Sequence, residues 1–361
     1  MMSIPSASSV VLPRAGDADT ACAVQPGSSE RSALQLTLRP LRPLLEDPGL
    51  TELCINAPHE AFAERARGWE RIALPFADAG WCYRLAKLIA NATHQRIDAQ
   101  SPLLSATLPS GERAQLVLPP ATTDGCVSIT LRKPASAAWS LADLAGGGAL
   151  QPTRVCGWDP PWDPSHAQLL GQLRERRIEA FLRTAVRTRR NILISGATGS
   201  GKTTWTKALI GEIPAEERLI TIEDARELVL DRHANHVRLY YSKDGQGQAK
   251  VTPKQLLEAC LRMKPDRILL AELRSDEAFY YLRNVNSGHP GSITSIHAAS
   301  CEGAFEQLML LVKESPAGRE LSRSDIHGLL RQAIDVVLQV GVVDHQRVVQ
   351  EIWSCDGEPG C

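Results

Sequence analysis

The stretch GATGSGKT, residues 196–203, constrains the fold of this chain more than any other feature of its sequence. It fits the pattern G-x-x-x-x-G-K-[ST] at every position, and it follows an apolar run and opens a segment with helical spacing. Glycines let backbone N–H groups curl around phosphate oxygens, and the following helix presents the positive end of its dipole to the same anion. The pattern therefore predicts a phosphate-binding loop between a buried strand and a helix, rather than an ordinary glycine-rich turn.

Two side chains of this loop are expected to carry chemistry. Lys202 reaches the β- and γ-phosphates in such a loop, and the Thr203 hydroxyl ligates Mg²⁺. The residues expected to surround the nucleotide are Gly196, Ala197, Thr198, Gly199, Ser200, Gly201, Lys202, Thr203 and Thr204.

Helix–strand alternation runs from residue 167 to residue 355, which we predict to be one domain. The predicted strands are 191–196, 218–224, 236–241, 267–273 and 292–298. Helices are predicted around 167–186, from Gly201 onward, through 276–285, and in two further segments after the last strand. A further helix is predicted to begin with Thr252 as its N-cap and Pro253 as its first residue. Apolar strands that alternate with helices predict a mostly parallel sheet covered on both faces.

The chain before this domain divides into three parts. Residues 1–34 are rich in Ser, Ala, Pro and Gly, and we expect a disordered tail. Residues 35–134 predict a small α+β domain, with strands at 51–56, 115–120 and 126–134 and a helix at 81–93. Residues 135–166, with three consecutive glycines and several prolines, predict a linker, and residues 356–361 a short tail.

Composition narrows the class of protein. The formal net charge of -1 argues against a chain built mainly to bind nucleic acid, so we expect no direct nucleic-acid binding. We expect no membrane span, because no apolar run approaches the roughly 18 residues that a span needs. We expect no signal peptide, because the first 30 residues lack a basic start followed by an apolar core. Nine scattered cysteines without a CxxC pair predict reduced thiols in a cytoplasmic chain.

Two acidic segments are expected to meet the phosphate loop. RILLAELR, residues 267–274, is an apolar run that reaches Glu272, a candidate to act on the metal ion or its waters. TIEDAREL, residues 221–228, ends another apolar strand with Glu223 and Asp224, of which Glu223 is the candidate. Parallel strands bring their carboxyl ends to one edge of a sheet, so these acids are expected to converge on the nucleotide. Either Glu223 or Glu272 would then orient or deprotonate the attacking water and contact Mg²⁺, partly through water.

One histidine and three arginines complete the candidate site. His297, at the end of an apolar strand, is placed to report on the nucleotide's terminal phosphate, although a structural histidine has the same pattern. Zinc is not expected, because His289 and His297 lack further ligands at metal spacing. Arg274, Arg132 and Arg113 are candidates to neutralise charge on the transferred phosphoryl group, or are ordinary surface charges.

Four segments in order carry a resemblance to a known superfamily. GATGSGKTT, ITIEDARELVL, LRMKPDRILLAELR and SGHPGSITSIHAAS resemble the Walker A, Asp box, Walker B and His box of the secretion traffic ATPases. Lys264 and Ala271 favour the type IV secretion branch, the eleventh VirB component, over the pilus motors. LRPLLEDPGLTELCINAP, GWERIALP, LPSGERAQLVLPP and SITLRKP are similar to that branch's first domain, so the resemblance covers about residues 35 to 340.

The resemblance implies a RecA-like P-loop domain preceded by a small α+β, PAS-like domain. It implies an ATPase that uses ATP and Mg²⁺ and works as a homo-hexamer, cytoplasmic and peripheral at the inner face of a bacterial inner membrane. The implied partners are other type IV secretion ATPases and inner-membrane channel components. Arg113 and Arg132 would be the first-domain arginines that reach the nucleotide, and His297 the His-box histidine.

Three functions follow as hypotheses. The favoured one is an ATP-hydrolysing motor for substrate export or pilus biogenesis through a type IV secretion system. The second is a pilus or type II secretion motor, or a ring that translocates DNA. The third is a nucleotide-gated scaffold with little turnover. One departure from the resemblance, PHEAFAERARG at 58–68, replaces the usual Pro-Gly turn and puts the hairpin there in doubt.

Overall fold

The computed structural model describes residues 28–134, 141–146, 149–151, 153, 165–242 and 247–355. The predicted tails at 1–27 and 356–361, and most of the predicted linker, lie outside the described residues. Within the linker, residues Leu141–Gly146 form a short helix, α4.

The first domain is an antiparallel sheet with helices packed on it. Its elements are α1 (Ser28–Leu38), a 3₁₀ turn (Arg39–Leu41), α2 (Arg42–Leu45), β1 (Glu52–Ile55), β2 (Glu60–Arg65), β3 (Gly68–Ala73), α3 (Ala79–Ala92), β4 (Leu103–Thr107), β5 (Arg113–Val117) and β6 (Ser128–Arg132). The strand order is β3-β2-β1-β6-β5-β4, and every neighbouring pair is antiparallel. The predicted α+β domain is confirmed.

Two sequence expectations for this domain are corrected. The tail was expected to extend to residue 34, but α1 begins at Ser28, and Leu34 and Leu38 are buried in the first-domain core. Leu34 and Leu38 are four residues apart, which places both on the buried face of the helix, whereas Leu36 between them is exposed. The doubted hairpin does form, as β2 and β3 pair from Glu60↔Ala73 to Arg65↔Gly68.

The second domain carries a mostly parallel sheet, as predicted. Its elements are α5 (His166–Arg174), α6 (Ile178–Arg187), β7 (Ile192–Ser195), α7 (Lys202–Ile210), β8 (Leu219–Glu223), β9 (His236–Tyr240), α8 (Pro253–Cys260), β10 (Arg267–Leu270), α9 (Glu277–Val285), β11 (Ile293–Ile296), α10 (Cys301–Glu314), α11 (Pro316–Arg319), α12 (Arg323–Ala333), β12 (Val336–Val343) and β13 (Gln346–Ser354). Two ladders, β10-β8-β9 and β11-β7-β12-β13, are parallel except for β12 with β13. They adjoin where Leu273 N–H donates to the Ser295 carbonyl, 2.9 Å away.

Helices cover both faces of this sheet. Leu193 packs into one core with α8, α9 and α10, while Ile192 and Ile194 pack into another with α6 and α7. This alternation follows from the two-residue repeat of a strand and explains why the strands read as continuous apolar runs.

Two further expectations for this domain are wrong. The single helix around 167–186 is two helices, because Arg176 has a positive φ of 55° and ends α5. The domain does not finish on two helices: α10, α11 and α12 are followed by the β12–β13 hairpin, which pairs with β7.

Part of the first domain packs against the end of the second sheet at which the parallel strands begin. The buried Arg218, just before β8, donates from Nη1 to Asn56 Oδ1 at 3.0 Å, and its guanidinium lies over the Trp69 ring. Lys264, just before β10, lies 2.8 Å from Glu64. The phosphate loop follows the carboxyl end of β7, so these two contacts lie at the opposite end of the sheet. The first domain also pairs along the edge strand β9, where the Tyr240 N–H donates to the Ala121 carbonyl at 2.9 Å.

Among the described residues, no helix combines the length and the apolar character that a membrane crossing requires.

Candidate nucleotide site

The loop between β7 and α7 has the backbone of a phosphate-binding loop. Gly199 and Gly201 have φ values of +79° and +97°, a region that favours glycine. A side chain on Gly196 would meet Ser200 Oγ and the Val340 carbonyl at 2.5 Å. α7 begins at Lys202, so its first N–H groups face the same space as the loop. The strand–loop–helix prediction is confirmed.

Lys202 is folded back into its own loop. Its Nζ donates to the carbonyls of Gly196 at 2.9 Å and Ala197 at 3.2 Å, and it lies 3.1 Å from His297 Nδ1. Since ammonium has only donors, Nδ1 must be the acceptor, and the ring proton therefore sits on Nε2.

That tautomer directs His297 toward the acid after β10. His297 Nε2 lies 2.6 Å from Glu272 Oε1. Arg274 then joins two carboxylates, because its Nε donates to Glu272 Oε2 at 2.6 Å and its Nη1 donates to Asp224 Oδ2 at 2.8 Å. We call Lys202, His297, Glu272, Arg274 and Asp224 the charge chain.

Burial shifts two pKa values within the charge chain. It raises the pKa of the Glu272 carboxyl, an effect that the neighbouring His297 and Lys202 side chains oppose. It lowers the pKa of the Lys202 ammonium, against the attraction of Glu272. The charges of Lys202, Glu272 and Arg274 are thus offset by neighbours within the charge chain.

The charge chain borders a cavity of about 500 Å³. The cavity is lined by Ala197, Thr198, Gly199, Gly201, Lys202, Thr203, Thr204, Thr206, Asp224, Glu227, Leu228, Ala271, Glu272, Arg274, Ser295, His297 and Arg347. The structure therefore brings together the loop, the acid after β10, the histidine after β11 and Arg274, as the sequence predicted.

Glu223 does not belong to this cavity, and its predicted role is corrected. Its side chain is fully buried, and Oε2 accepts from the backbone N–H groups of Glu227 and Leu228, both at 2.9 Å. Oε1 accepts from the Thr221 hydroxyl at 2.6 Å. The carboxylate therefore holds the loop after β8, and its neighbour Asp224 faces the cavity.

Arg113 and Arg132 also lie away from the phosphate loop of their own chain. They line a second cavity of about 730 Å³, together with Arg262, Lys264 and His289 of the second domain. Lys264 and His289 precede β10 and β11, so this cavity lies at the edge opposite the phosphate loop. Within one chain, the two arginines do not reach the site that they were expected to serve.

The residues of the first cavity fit Mg²⁺ bound with a nucleotide. Glu272 Oε1 is buried and has no hydrogen-bond partner among the described residues, although His297 Nε2 lies 2.6 Å from it. A buried carboxylate oxygen with a free lone pair is suited to a metal ion or a metal-bound water. The Thr203 hydroxyl lines the same cavity.

One lining residue, Arg347 on β13, has no signal in the sequence. Its Nε lies 3.4 Å from the Gly199 carbonyl, and its Cδ lies 2.7 Å from where a Cβ on Gly201 would stand. No local pattern predicts its position, because Arg347 reaches the loop only through the β12–β13 hairpin and lies 148 residues after Gly199 in the chain.

A phosphate loop at the carboxyl end of a parallel sheet, with an acid and a histidine facing it, defines a P-loop ATPase with a RecA-like domain. The family model described as "Type II/IV secretion system protein" matches residues 166–355. The chain is 47% identical over 336 residues to the type IV secretion system protein VirB11 of Bartonella henselae, covering 90% of this chain and 94% of that protein. It is 40% identical to PtlH of Bordetella pertussis, covering 91% of this chain and 97% of that protein.

A solved structure agrees with these relatives. The VirB11 ATPase of the Brucella suis type IV secretion system, crystallised with sulphate, superposes with a TM-score of 0.85 at 44% identity and covers 90% of this chain and 95% of that one. The chain therefore belongs to the type II/IV secretion system protein family, and within it to the VirB11 ATPases of type IV secretion.

Proposed function

We propose that the chain works as a hexameric ring whose ATP turnover drives substrate export, pilus biogenesis or both through a type IV secretion system. The ring would be cytoplasmic and peripheral at the inner face of a bacterial inner membrane. Its partners would be other type IV secretion ATPases and inner-membrane channel components, without direct nucleic-acid binding. The family and the names of the relatives support this proposal.

The proposal of a ring rests on the position of Arg113 and Arg132, which lie away from the phosphate loop of their own chain. The γ-phosphate of ATP gains charge at its oxygens in the transition state, and an arginine there contributes about 10³–10⁵ in rate. Both first-domain arginines border an open cavity at the far edge of their own sheet. A neighbouring copy in a ring would bring its phosphate loop to that cavity, so each site would be completed by two chains.

The charge chain supports a division of roles at the phosphates. On ATP binding, Lys202 would leave the Gly196 and Ala197 carbonyls and His297 for the β- and γ-phosphates. Bound with ATP, Mg²⁺ would be held by Thr203 and, through water, by Glu272, and would neutralise phosphate charge.

Glu272 is our candidate for the general base. It would take the proton of the attacking water as that oxygen bonds to the γ-phosphorus and the bond to ADP breaks. A raised pKa suits a carboxylate to this task, because the group then holds the transferred proton more readily. His297 would orient this carboxylate, and Arg274 would keep it beside Asp224.

Substitution Glu272→Gln separates a motor from a nucleotide-gated scaffold. The variant keeps the shape of the side chain but cannot take a proton, so we expect normal ATP binding and ring mass with kcat reduced at least about 100-fold. Export measured in cells that carry only this variant should be lost. Normal export from the hydrolysis-deficient variant would favour the scaffold and contradict the motor.

A further inference from the structure

A row of charged side chains crosses the first-domain sheet beside the second cavity. In strand order it consists of Arg113 on β5, Arg132 on β6, Glu52 on β1 and Glu64 on β2, and each member is directly opposite the next. Residues directly opposite on neighbouring strands project from the same face of a sheet. We call these four residues the charge row. Lys264 of the second domain continues it, 2.8 Å from Glu64.

Glu52 differs from the arginine beside it in its burial. Its side chain is 4% exposed, whereas that of Arg132 is 66% exposed. Glu52 Oε1 lies 3.5 Å from Arg132 Nε, and Glu52 Oε2 is buried with no hydrogen-bond partner among the described residues. Burying a carboxylate oxygen without a donor costs free energy, so packing alone gives no reason for an acid at this position.

We propose that Glu52 is a positioning residue for Arg132. Its ionised carboxylate attracts the Nε edge of the guanidinium and leaves the two terminal nitrogens for a phosphate. Arg113 stands directly opposite Arg132 and repels it, so the carboxylate on the other side fixes where the guanidinium points. This inference rests on the proposed function, in which Arg132 acts on ATP held by a neighbouring copy.

The surroundings of Glu52 make this contact depend on pH. Burial raises the pKa of the Glu52 carboxyl to about 7, while Arg132 lowers it, Glu64 raises it, and Lys264 and Arg218 lower it. The other charged or titratable groups that line the cavity are Arg113, Arg262 and His289. Glu52 is therefore ionised, and holds Arg132, only on the alkaline side of about pH 7.

The test compares Glu52→Gln with the unmodified full chain across this pH range. The ratio of unmodified to variant kcat should be near one at about pH 6 and rise to the order of tenfold at about pH 8, because only the ionised acid holds the arginine. ADP affinity should be equal for both proteins at both pH values. Combining Glu52→Gln with Arg132→Ala should give no loss beyond that of Arg132→Ala alone.

Glu64→Gln is the matched control. It removes the neighbouring acid of the same row, whose contacts are Lys264 and the Thr51 hydroxyl rather than an arginine of the cavity. Because the charge of Glu64 raises the pKa of Glu52, this variant should keep the pH-dependent rise in kcat and move it to lower pH.

Two results would overturn the proposal. One is a kcat ratio that does not change with pH, and the other is a loss from Glu52→Gln that adds fully to the loss from Arg132→Ala. If either occurs while Arg132→Ala alone lowers kcat, the proposed function stands and only the role of Glu52 fails. If Arg132→Ala alone leaves kcat unchanged, the role proposed for the arginine fails as well.

Discussion

The two cavities of this chain are lined by different sets of charged side chains. The cavity at the phosphate loop has the glycines, the lysine and the acids, and its charges are offset by one another through the charge chain. The second cavity has the exposed arginines Arg113 and Arg132, and the buried carboxylate of Glu52 lies beside Arg132. On the proposed function, the first cavity binds the phosphates of ATP, and the second supplies positive charge to the ATP of a neighbouring copy.

On the proposed function, this difference leaves the site of one chain incomplete until a neighbouring copy supplies its arginines. The buried Arg218 and the ion pair between Lys264 and Glu64 join the first domain to the edge of the second sheet where its strands begin. That attachment keeps the arginines at the far edge from the loop of the same chain. Substitutions at Lys202, His297 and Glu52 test this difference between the two cavities, and their expected effects decrease in that order.

Lys202→Ala should have the largest effect, because it removes the side chain that contacts His297 in the charge chain and that we propose to bind the phosphates. We expect kcat/KM for ATP to fall at least about 10³-fold, since the lost charge acts on the transferred phosphoryl group. Steady-state hydrolysis by the purified full chain measures this. Lys207→Ala, on the same helix but not among the residues lining the cavity, is the control and should keep normal kinetics.

His297→Ala should have a smaller effect, confined to turnover. Lys202 keeps its two carbonyl contacts in this variant, so we expect ADP affinity to stay within about twofold. Glu272 loses the ring that lies against Oε1, so kcat should fall about 10- to 100-fold. A parallel loss of ADP affinity would show that the histidine instead supports the loop itself.

Glu52→Gln should have the smallest effect of the three variants. It should raise the free energy of unfolding. The pKa of Glu52 is raised from 4.5 to about 7 on folding, so the folded chain holds this proton more tightly. Stability is therefore lost as pH rises from about 4.5 to about 7, by up to about 3 kcal/mol. The variant lacks this group and should gain stability relative to the unmodified chain between pH 5 and pH 8, as urea unfolding measures. A constant difference across that range would contradict the raised pKa.

The two cavities also differ in how far the sequence predicts them. The phosphate loop, Lys202, Glu272 and His297 follow from local patterns, because parallel strands bring their carboxyl ends to one edge whatever else the chain does. The prediction of Glu223 is off by one residue, because Glu223 and Asp224 are adjacent and only one of them faces the cavity while the other binds the loop backbone. The sequence alone gives no sign of that direction.

The second cavity depends on contacts that no local pattern contains. The charge row exists only through the strand register of an antiparallel sheet in which β6 pairs with β1 across more than 70 residues of sequence. Arg347 likewise reaches the loop through a hairpin whose strands were not predicted. The helix α1 was missed because its seven-residue overlap with the predicted tail is rich in Ser and Ala.

Mixing two inactive variants tests most directly whether each site is shared between chains. Lys202→Ala and Arg132→Ala are purified separately, combined at equal concentration under conditions that let subunits exchange, and assayed for ATP hydrolysis. A site made of an intact loop from one chain and an intact arginine from its neighbour should appear in about a quarter of positions of a randomly mixed ring, so activity should recover toward about that fraction. If the mixture stays as inactive as its components although mass measurements show mixed rings, Arg132 serves the loop of its own chain, and the shared site is contradicted.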